Sequence, residues 1–310
     1  MSSEPTQTAE GARKRSRSPE DGCPPPAAPV ADGDAAVYEH QHVHEVYDAI
    51  ATHFSSTRYK PWPRVVAFLA ALPPYATVAD VGCGNGKYFA AAAGAHRWVV
   101  GMDRSVALLQ LTQRSTVDPN VPSRAAAGGP PPAQEPQPCT DCLCCDGRRA
   151  PFRAGTFDAA ISIAVIHHYA TVARRRAAVA ELLRLVRPDG GQVLLYVWAL
   201  DGDAPAGEAK ATEDAKAPRP TKRKKTNQRL DPTTGDALVR WQVNQKFDAT
   251  QQVFERFYHF FTRRELEDLC RDAAAELRQQ EATRSAAQCR IKECYLDCEN
   301  WCIVLERFVD

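Results

Sequence analysis

Apolar positions along the chain follow two spacings from residue 43 onward. Stretches 43–54 and 64–72 place apolar residues three or four apart, which predicts amphipathic helices. Residues 157–165 form a continuous apolar run, as expected of a parallel strand that is buried on both faces. Strand-like and helix-like stretches alternate along most of the chain, and this order predicts an α/β domain built on a mostly parallel sheet.

Seven strands and several helices follow from these patterns. The predicted strands are 77–82, 98–103, 141–145, 157–165, 192–198, 289–296 and 300–308. A short turn joins the last two, which predicts an antiparallel hairpin at the end of the sheet. Further helices are predicted at 105–114, 172–186 and 263–277, with Ser105 as the N-cap of the first. We expect helices on both faces of the sheet.

Three segments have a composition that does not favour a packed core. Residues 1–36 are rich in Ser, Pro, Ala, Asp and Glu and predict a disordered tail. Segments 117–138 and 201–229 have the same low complexity and predict insertions into surface loops, which a fold tolerates at small entropic cost. The folded domain is therefore expected over 37–310, interrupted twice.

Charge and hydropathy narrow the possible partners. Lys and Arg number 39 against 38 Asp and Glu, a net charge of +1, so a nucleic acid would have to be met by a local basic patch. Basic runs at 13–17 and 222–225 are candidates for phosphate binding or nuclear import, although most such runs are simply solvated. No apolar run approaches the ~20 residues that cross a bilayer. We expect no membrane partner, and a cytoplasmic protein that the basic runs could also direct to the nucleus.

Cysteine usage favours free thiols. The chain has 11 cysteines, an odd number, and no export signal is recognisable. Cys139 and Cys142 have the Cys-x-x-Cys spacing of a zinc ligand pair, and Cys144 and Cys145 follow them. Because no second well-spaced pair completes a conventional site, we predict no metal, with zinc left as the alternative.

A glycine-rich turn stands where an α/β sheet binds nucleotides. Gly82, Gly84 and Gly86 follow the first predicted strand and lead into a helix-like stretch. Glycine in such a turn lets the backbone approach a ligand closely. Asp103 ends the second strand, where a carboxylate can accept hydrogen bonds from both ribose hydroxyls of an adenosine. A tight turn that binds nothing, with Asp103 as a cap, is the plainer alternative.

The details of this turn separate two adenosine cofactors. NAD-binding turns have the spacing Gly-x-Gly-x-x-Gly, whereas this chain has Gly-x-Gly-x-Gly preceded by Asp80. Asp80 is placed to bind an ammonium group, which favours S-adenosylmethionine. Asp146 follows the third strand and is a candidate for the adenine amino group, or equally an ordinary turn residue.

Longer blocks of sequence resemble one family closely. The blocks are His53-Phe-Ser-Ser-Thr-Arg-Tyr-Lys-Pro-Trp-Pro63, 80–88, 157–168, 183–191, 196–200, 256–259 and 300–302. They resemble the eukaryotic tRNA wobble-uridine carboxymethyl methyltransferases over roughly 42–310, apart from the two insertions. The chain departs from the family at Val239-Arg240-Trp241, where Val-Pro-Trp is usual.

The resemblance implies a fold, a cofactor and a reaction. The fold would be the Rossmann-like class I methyltransferase fold, with seven strands. The enzyme would use S-adenosylmethionine to esterify the carboxylate of 5-carboxymethyluridine at tRNA position 34, together with a small zinc-binding activator subunit. The residues that match the family's cofactor motif are Asp80, Gly82, Gly84, Asn85, Gly86, Asp103 and Asp146.

The acceptor site is predicted from the chemistry of its substrate. A carboxylate is ionised at pH 7, so methyl transfer to it needs in-line positioning and exclusion of water but no general base. Trp198 or Tyr258 could stack on uracil, and an Arg could grip the carboxylate in a bidentate fork. The candidate catalytic residues are Arg58, His167, His168, Arg256, Tyr258 and His259. For His167 and His168, the alternative is that one packs and caps the next turn while the other faces solvent.

Two other functions remain open at this stage. A methyltransferase acting on a small molecule, such as a quinone or lipid precursor, would share the cofactor half. The block 55–63 and residues 256–259 favour tRNA over it. A non-catalytic scaffold of the same fold would need neither Asp80 nor Asp103.

Overall fold

The computed structural model of the protein describes residues 30–115, 140–200, 229–231, 233–281 and 287–309. The segment 1–29, the predicted insertion at 117–138, both basic runs and Cys139 lie outside the described residues. So does the predicted insertion at 201–229, apart from Arg229, which is described and begins a short strand. Helix α1 begins at Ala35, whose side chain is fully buried, so the folded domain begins before residue 37. No helix in the described part is both long and apolar enough to span a membrane.

Seven helices and ten strands make up the described residues. The helices are α1 (Ala35–Glu39), α2 (Glu45–Thr57), α3 (Pro63–Ala71), α4 (Phe89–Gly94), α5 (Val106–Ser115), α6 (Val172–Leu185) and α7 (Arg263–Gln280), with a π-helical turn at His40–His44 and a 3-10 turn at Ile166–His168. The strands are β1 (Thr77–Val81), β2 (Trp98–Asp103), β3 (Thr140–Cys144), β4 (Ala159–Ile163), β5 (Gln192–Trp198), β6 (Arg229–Leu230), β7 (Asp236–Gln242), β8 (Val253–His259), β9 (Gln288–Asp297) and β10 (Asn300–Phe308).

The main sheet has the predicted architecture. Its strand order is β3-β2-β1-β4-β5-β10-β9. The first five strands are parallel, and β10 runs antiparallel to both β5 and β9. The fold prediction is therefore confirmed, including the terminal hairpin. The order of the sheet reverses between β1 and β4, which places a ligand crevice at the carboxyl ends of these strands.

Helices cover both faces of this sheet. On one face α6 and α7 pack on β4, β5 and β10 through fully buried residues such as Leu182 and Trp301. On the other face α3 and α4 pack through Val65, Leu69 and Phe89. Local signals begin these helices as expected: Pro63 starts α3, and the Ser105 hydroxyl accepts the Leu108 amide at the start of α5. The two cores fix the strand ends that form the crevice.

A second, three-stranded sheet between β5 and α7 was absent from the predictions. It has the order β6-β7-β8 and is antiparallel. The sequence of β8 does not show an alternation of polar and apolar residues, because both sides of the strand are buried from residue 256 onward. Arg256 and His259 are among these buried residues. Charged side chains at buried positions hide the two-residue hydrophobic period.

Candidate functional site

A single crevice gathers most of the predicted site residues at the carboxyl ends of β1, β2, β4 and β5. It is lined on its nucleotide side by Asp80, Gly82, Gly84, Asn85, Asp103 and Asp146, and on its acceptor side by Arg58, His167, His168, Arg256 and Tyr258. Two predicted residues, Gly86 and His259, do not line it. We call the residues on the nucleotide side the nucleotide half and those on the acceptor side the acceptor half.

The glycine turn brings bare backbone to the crevice. Gly82 has φ +82°, and a Cβ there would lie 2.2 Å from Cγ2 of Val165, so the position excludes any side chain. Gly84 has φ +56°, in the left-handed region that glycine occupies without strain. Asn85 ties the turn to α2 through a 3.0 Å hydrogen bond from its amide to the Ser55 hydroxyl. Gly86 completes the turn without facing the crevice.

Asp103 is held in place by backbone amides. Its two carboxylate oxygens accept hydrogen bonds from the Gly84 and Ser105 amides, both at 2.8 Å. Burial raises the pKa of this carboxyl, while the same hydrogen bonds oppose the rise. Because each carboxylate oxygen accepts more than one hydrogen bond, Asp103 retains capacity to bind two ribose hydroxyls.

Asp80 is a buried carboxyl with an unused oxygen. It is 1 % exposed, and its Oδ2 has no hydrogen-bond partner among the described residues. Burial, and next the negative charge of Asp103, raise the pKa of Asp80 to about 7. A buried carboxyl without a partner is costly unless a ligand completes it. A ligand ammonium fits this requirement.

Asp146 is already engaged by two arginines. Its Oδ2 lies 2.6 Å from Arg148 and 3.2 Å from Arg104. Burial alone would raise the pKa of Asp146, but the hydrogen bonds and charge of Arg148 outweigh it and the pKa is lowered. The carboxylate is therefore charged and fixed at the far end of the nucleotide half.

Stacked rings form one wall of the acceptor half. Trp198 and Tyr258 stack with ring centroids 4.2 Å apart, and His167 stacks on Tyr258 at 4.9 Å. The Trp198 backbone amide donates to Nδ1 of His167 at 3.3 Å, so Nδ1 is unprotonated and the proton sits on Nε2. Burial lowers the pKa of His167 well below its usual value. Its buried Nε2 has no partner among the described residues and is available to a ligand.

A chain of hydrogen bonds runs behind this wall. His168 Nδ1 donates to the Phe257 carbonyl at 2.8 Å, so its Nε2 accepts, at 2.9 Å, from the Tyr47 hydroxyl. Arg256 Nη1 donates to the same hydroxyl at 3.3 Å. Burial lowers the pKa of His168 to about 3, which keeps the imidazole neutral. Both nitrogens of His168 are thus occupied, so the residue orients Tyr47 and has no ring nitrogen left to bind a ligand.

Arg256 carries a buried positive charge in the acceptor half. It is 5 % exposed, and its guanidinium lies over the rings of Trp241, at 4.5 Å, and Tyr258, at 5.1 Å. No carboxylate of the described residues forms an ion pair with it, and its Nε has no hydrogen-bond partner there. A buried guanidinium without a paired carboxylate is suited to bind an anionic group of a ligand.

The two remaining candidates, Arg58 and His259, differ in their position relative to the crevice. Arg58 ends α2 at the mouth of the crevice, exposed, with its guanidinium 5.7 Å from the Trp241 ring. His259, which was predicted in the acceptor site, lies on the opposite face of β8 from Tyr258. Its Nδ1 lies 2.7 Å from Asp236, and its Nε2 lies 2.7 Å from Glu265. It joins the small sheet to α7 and does not reach the crevice.

Sequence reasoning missed Tyr47. This residue and His44 line the crevice from the N-terminal helical segment, and Tyr47 joins Arg256 to His168. The signal was present, because positions 44, 47, 54 and 58 lie on one helical stripe. The spacing predicted an amphipathic helix, and in the structure this stripe faces the site.

Three of the four clustered cysteines lie in the described part of the chain. Cys142, Cys144 and Cys145 are free thiols at the edge strand β3 and just after it. The described ranges contain no group of three His, Cys, Asp or Glu side chains that could hold a metal ion. Cys139 lies outside them.

Comparison with known proteins identifies the family. A methyltransferase domain model matches residues 79–194. The tRNA (carboxymethyluridine(34)-5-O)-methyltransferase alkbh8 of Xenopus tropicalis is 36% identical over 90% of this chain and 42% of its own length. The tRNA (carboxymethyluridine(34)-5-O)-methyltransferase of Schizosaccharomyces pombe is 33% identical over 87% of this chain and 98% of its own length.

Solved structures agree on the fold. A Burkholderia thailandensis 1,6-didemethyltoxoflavin-N1-methyltransferase is 18% identical, with a TM-score of 0.51, and the match covers 93% of this chain and 94% of that one. This chain spans less than half the length of the Xenopus relative and of a Macaca fascicularis relative, 42% and 46%. Since it matches nearly the whole fission yeast protein, the chain belongs to the tRNA (carboxymethyluridine(34)-5-O)-methyltransferase family.

Proposed function

We propose that this protein uses S-adenosylmethionine to esterify the carboxylate of 5-carboxymethyluridine at the wobble position of tRNA. The observation that carries the proposal is Arg256, a buried guanidinium that faces the crevice without a carboxylate partner among the described residues. A carboxylate on the acceptor supplies the missing anion. The names of the relatives state this substrate for those proteins.

The nucleotide half fits the cofactor residue by residue. Asp103 would bind the ribose hydroxyls, and the unpartnered Oδ2 of Asp80 would bind the methionine ammonium. The bare backbone of Gly82 and Gly84 leaves room for the ligand beside β1. When bound, the cofactor supplies an electrophilic methyl group on a sulfonium.

The acceptor half fits a carboxylate on a pyrimidine. Arg256 binds the carboxylate and holds it ionised, so no residue has to remove a proton. His167 donates its Nε2 proton to an acceptor oxygen, since its Nδ1 is already used. The stacked Trp198 and Tyr258 rings exclude water from one side of the reacting atoms. The chain's part in the reaction is binding, orientation and desolvation.

We also propose that a small zinc-binding activator subunit pairs with this protein, as the resemblance implies. The described part of the main sheet ends in β3 on one side and β9 on the other. Strand β9 carries exposed Arg290, Lys292 and Glu293, and charged side chains discourage pairing at an edge. Strand β3 has one exposed charged side chain, Asp141, against three in β9, and so accepts an added strand more readily; we place the activator there.

The proposal is tested by methyl transfer from labelled S-adenosylmethionine to tRNA that carries 5-carboxymethyluridine. The reaction is run with and without the activator subunit, and the nucleosides are analysed by mass spectrometry. We expect the methyl ester at the wobble position. Cofactor binding without transfer, in the presence of the activator, would reject the tRNA substrate and leave a small-molecule acceptor, which the relatives do not favour.

A further inference from the structure

A row of three aromatic side chains leads from the acceptor half to the protein surface. The rings are Trp241, His53 and Phe247, and they are called the aromatic ledge below. His53 lies 5.2 Å from Trp241 and 5.0 Å from Phe247, centroid to centroid. Phe247, the outermost ring, is 45 % exposed.

The ledge is continuous with the predicted substrate site. Its inner ring, Trp241, lies under the Arg256 guanidinium at 4.5 Å. The same indole donates its Nε1 hydrogen to Nδ1 of His53 at 3.1 Å, which fixes the relative orientation of the two rings. Packing of Phe54 against Trp241 at 6.1 Å ties the ledge to the crevice wall. The ledge therefore extends the wall of the pocket outward.

Positive charge accompanies the rings. Arg58 lies 5.7 Å from the Trp241 ring at the crevice mouth, and Lys246 precedes Phe247 in an exposed loop. The loop also carries one acidic residue, Asp248, whose carboxylate is engaged within the loop by hydrogen bonds from the Thr250 hydroxyl and the Gln252 amide. Aromatic rings interleaved with cations are the features of a surface that binds single-stranded nucleic acid.

A lone exposed Phe would need no explanation, but this one ends a row that begins at the buried guanidinium. If the wobble uridine occupies the acceptor half, its neighbours in the anticodon loop emerge at the mouth. We propose that the aromatic ledge stacks an unpaired nucleotide adjacent to the modified uridine, with Phe247 as the outer platform and Arg58 facing the backbone phosphates. This inference rests on the proposed function and assigns the ledge a role in substrate binding.

The test compares full-length variants that keep the apolar bulk of Phe247 but change its ring. Binding of an anticodon stem-loop carrying 5-carboxymethyluridine is measured by fluorescence anisotropy, with S-adenosylhomocysteine present to prevent turnover. We expect Phe247→Leu to weaken binding about tenfold, because stacking on a base is lost. Phe247→Tyr, which keeps a flat ring, should bind like the wild type. Trp98→Leu is the matched control, since Trp98 is 52 % exposed at the opposite end of the sheet.

The outcomes separate the ledge from the enzymatic proposal. If the wild type methylates the RNA and Phe247→Leu binds it as tightly, the ledge is rejected and the function stands. If Phe247→Leu binds weakly and the wild type transfers no methyl group, the ledge stands and the proposed reaction is rejected. A wild type that neither binds nor methylates the RNA rejects both, and equal weakening by Trp98→Leu also rejects the ledge.

Discussion

The two halves of the crevice are built in different ways. The nucleotide half comes mainly from one short segment after β1 and uses backbone groups, with Asp103 fixed by the Gly84 and Ser105 amides. The acceptor half joins Tyr47, His168 and Arg256, residues separated by up to 209 positions, through side-chain hydrogen bonds. A site built from backbone groups tolerates few substitutions in the glycine turn that forms it. A site built from side chains can come to bind a different acceptor without a change of fold. Substitutions in each half test whether the two act independently.

Arg256→Ala should nearly abolish methyl transfer while leaving cofactor binding unchanged. Loss of the buried charge leaves the acceptor carboxylate without its partner, and we expect kcat/KM for RNA to fall about a thousandfold. Calorimetric titration with S-adenosylhomocysteine checks the nucleotide half of the same variant. A parallel loss of cofactor affinity would show that the halves are not independent.

Asp103→Ala should have the converse effect. Two charge-assisted hydrogen bonds to the ribose would be lost, and the affinity for S-adenosylhomocysteine should fall about a hundredfold. At saturating cofactor the rate of transfer should approach that of the wild type. Asp141→Ala, at an exposed position on the edge strand β3, is the control and should bind normally. Unchanged affinity in Asp103→Ala would contradict the ribose assignment.

Cofactor affinity should depend on pH through Asp80. Because the pKa of this carboxyl is about 7 in the free protein, its charged form becomes scarce below pH 7. Binding of an ammonium group requires the charged form, so affinity should fall about tenfold for each pH unit below 7 and level off above it. Asp80→Asn should remove the dependence. A wild-type affinity that is constant from about pH 6 to about pH 8 would contradict the assignment.

The same shift has a consequence for stability. The pKa of Asp80 is raised in the folded state above its unfolded value of about 3.9, so folding favours the protonated carboxyl. This contribution to the free energy of unfolding is fully present below the pKa of the unfolded state and is lost as the pH rises through about 7. Urea unfolding of the free protein at several pH values should show it, and saturating cofactor should reduce the loss. The free energy of unfolding of Asp80→Asn should depend less on pH over this range.

Tyr47→Phe should have the smallest effect. The ring keeps its packing, but Arg256 and His168 lose the hydroxyl that joins them. We expect KM for RNA to rise about fivefold, with little change in kcat, because the hydrogen bond that orients the guanidinium is long, at 3.3 Å, and contributes about 1 kcal/mol. Steady-state kinetics separate the two constants. A large fall in kcat with KM unchanged would show that Tyr47 acts in the transfer step instead.

The contrast between the halves also explains what the sequence could predict. The main sheet and the glycine turn were predicted because their signals are local: apolar runs and Gly-x-Gly spacing. Arg256 and Tyr258 were recognised from the family resemblance, but their partner Tyr47 was not, since helical spacing alone does not show whether a stripe faces core or crevice. His259 was placed wrongly because strand alternation turns it away from its neighbour Tyr258.

Discrimination between an acid and its amide tests whether Arg256 selects a carboxylate. Anticodon stem-loops carrying 5-carboxymethyluridine or its neutral, nearly isosteric carbamoylmethyl analogue are bound to the wild type and to Arg256→Ala, with S-adenosylhomocysteine present. We predict that the wild type prefers the acid by at least about tenfold and that Arg256→Ala shows no preference. Equal binding of both RNAs by the wild type, or a preference that survives in Arg256→Ala, would contradict the proposal that this buried guanidinium selects a carboxylate.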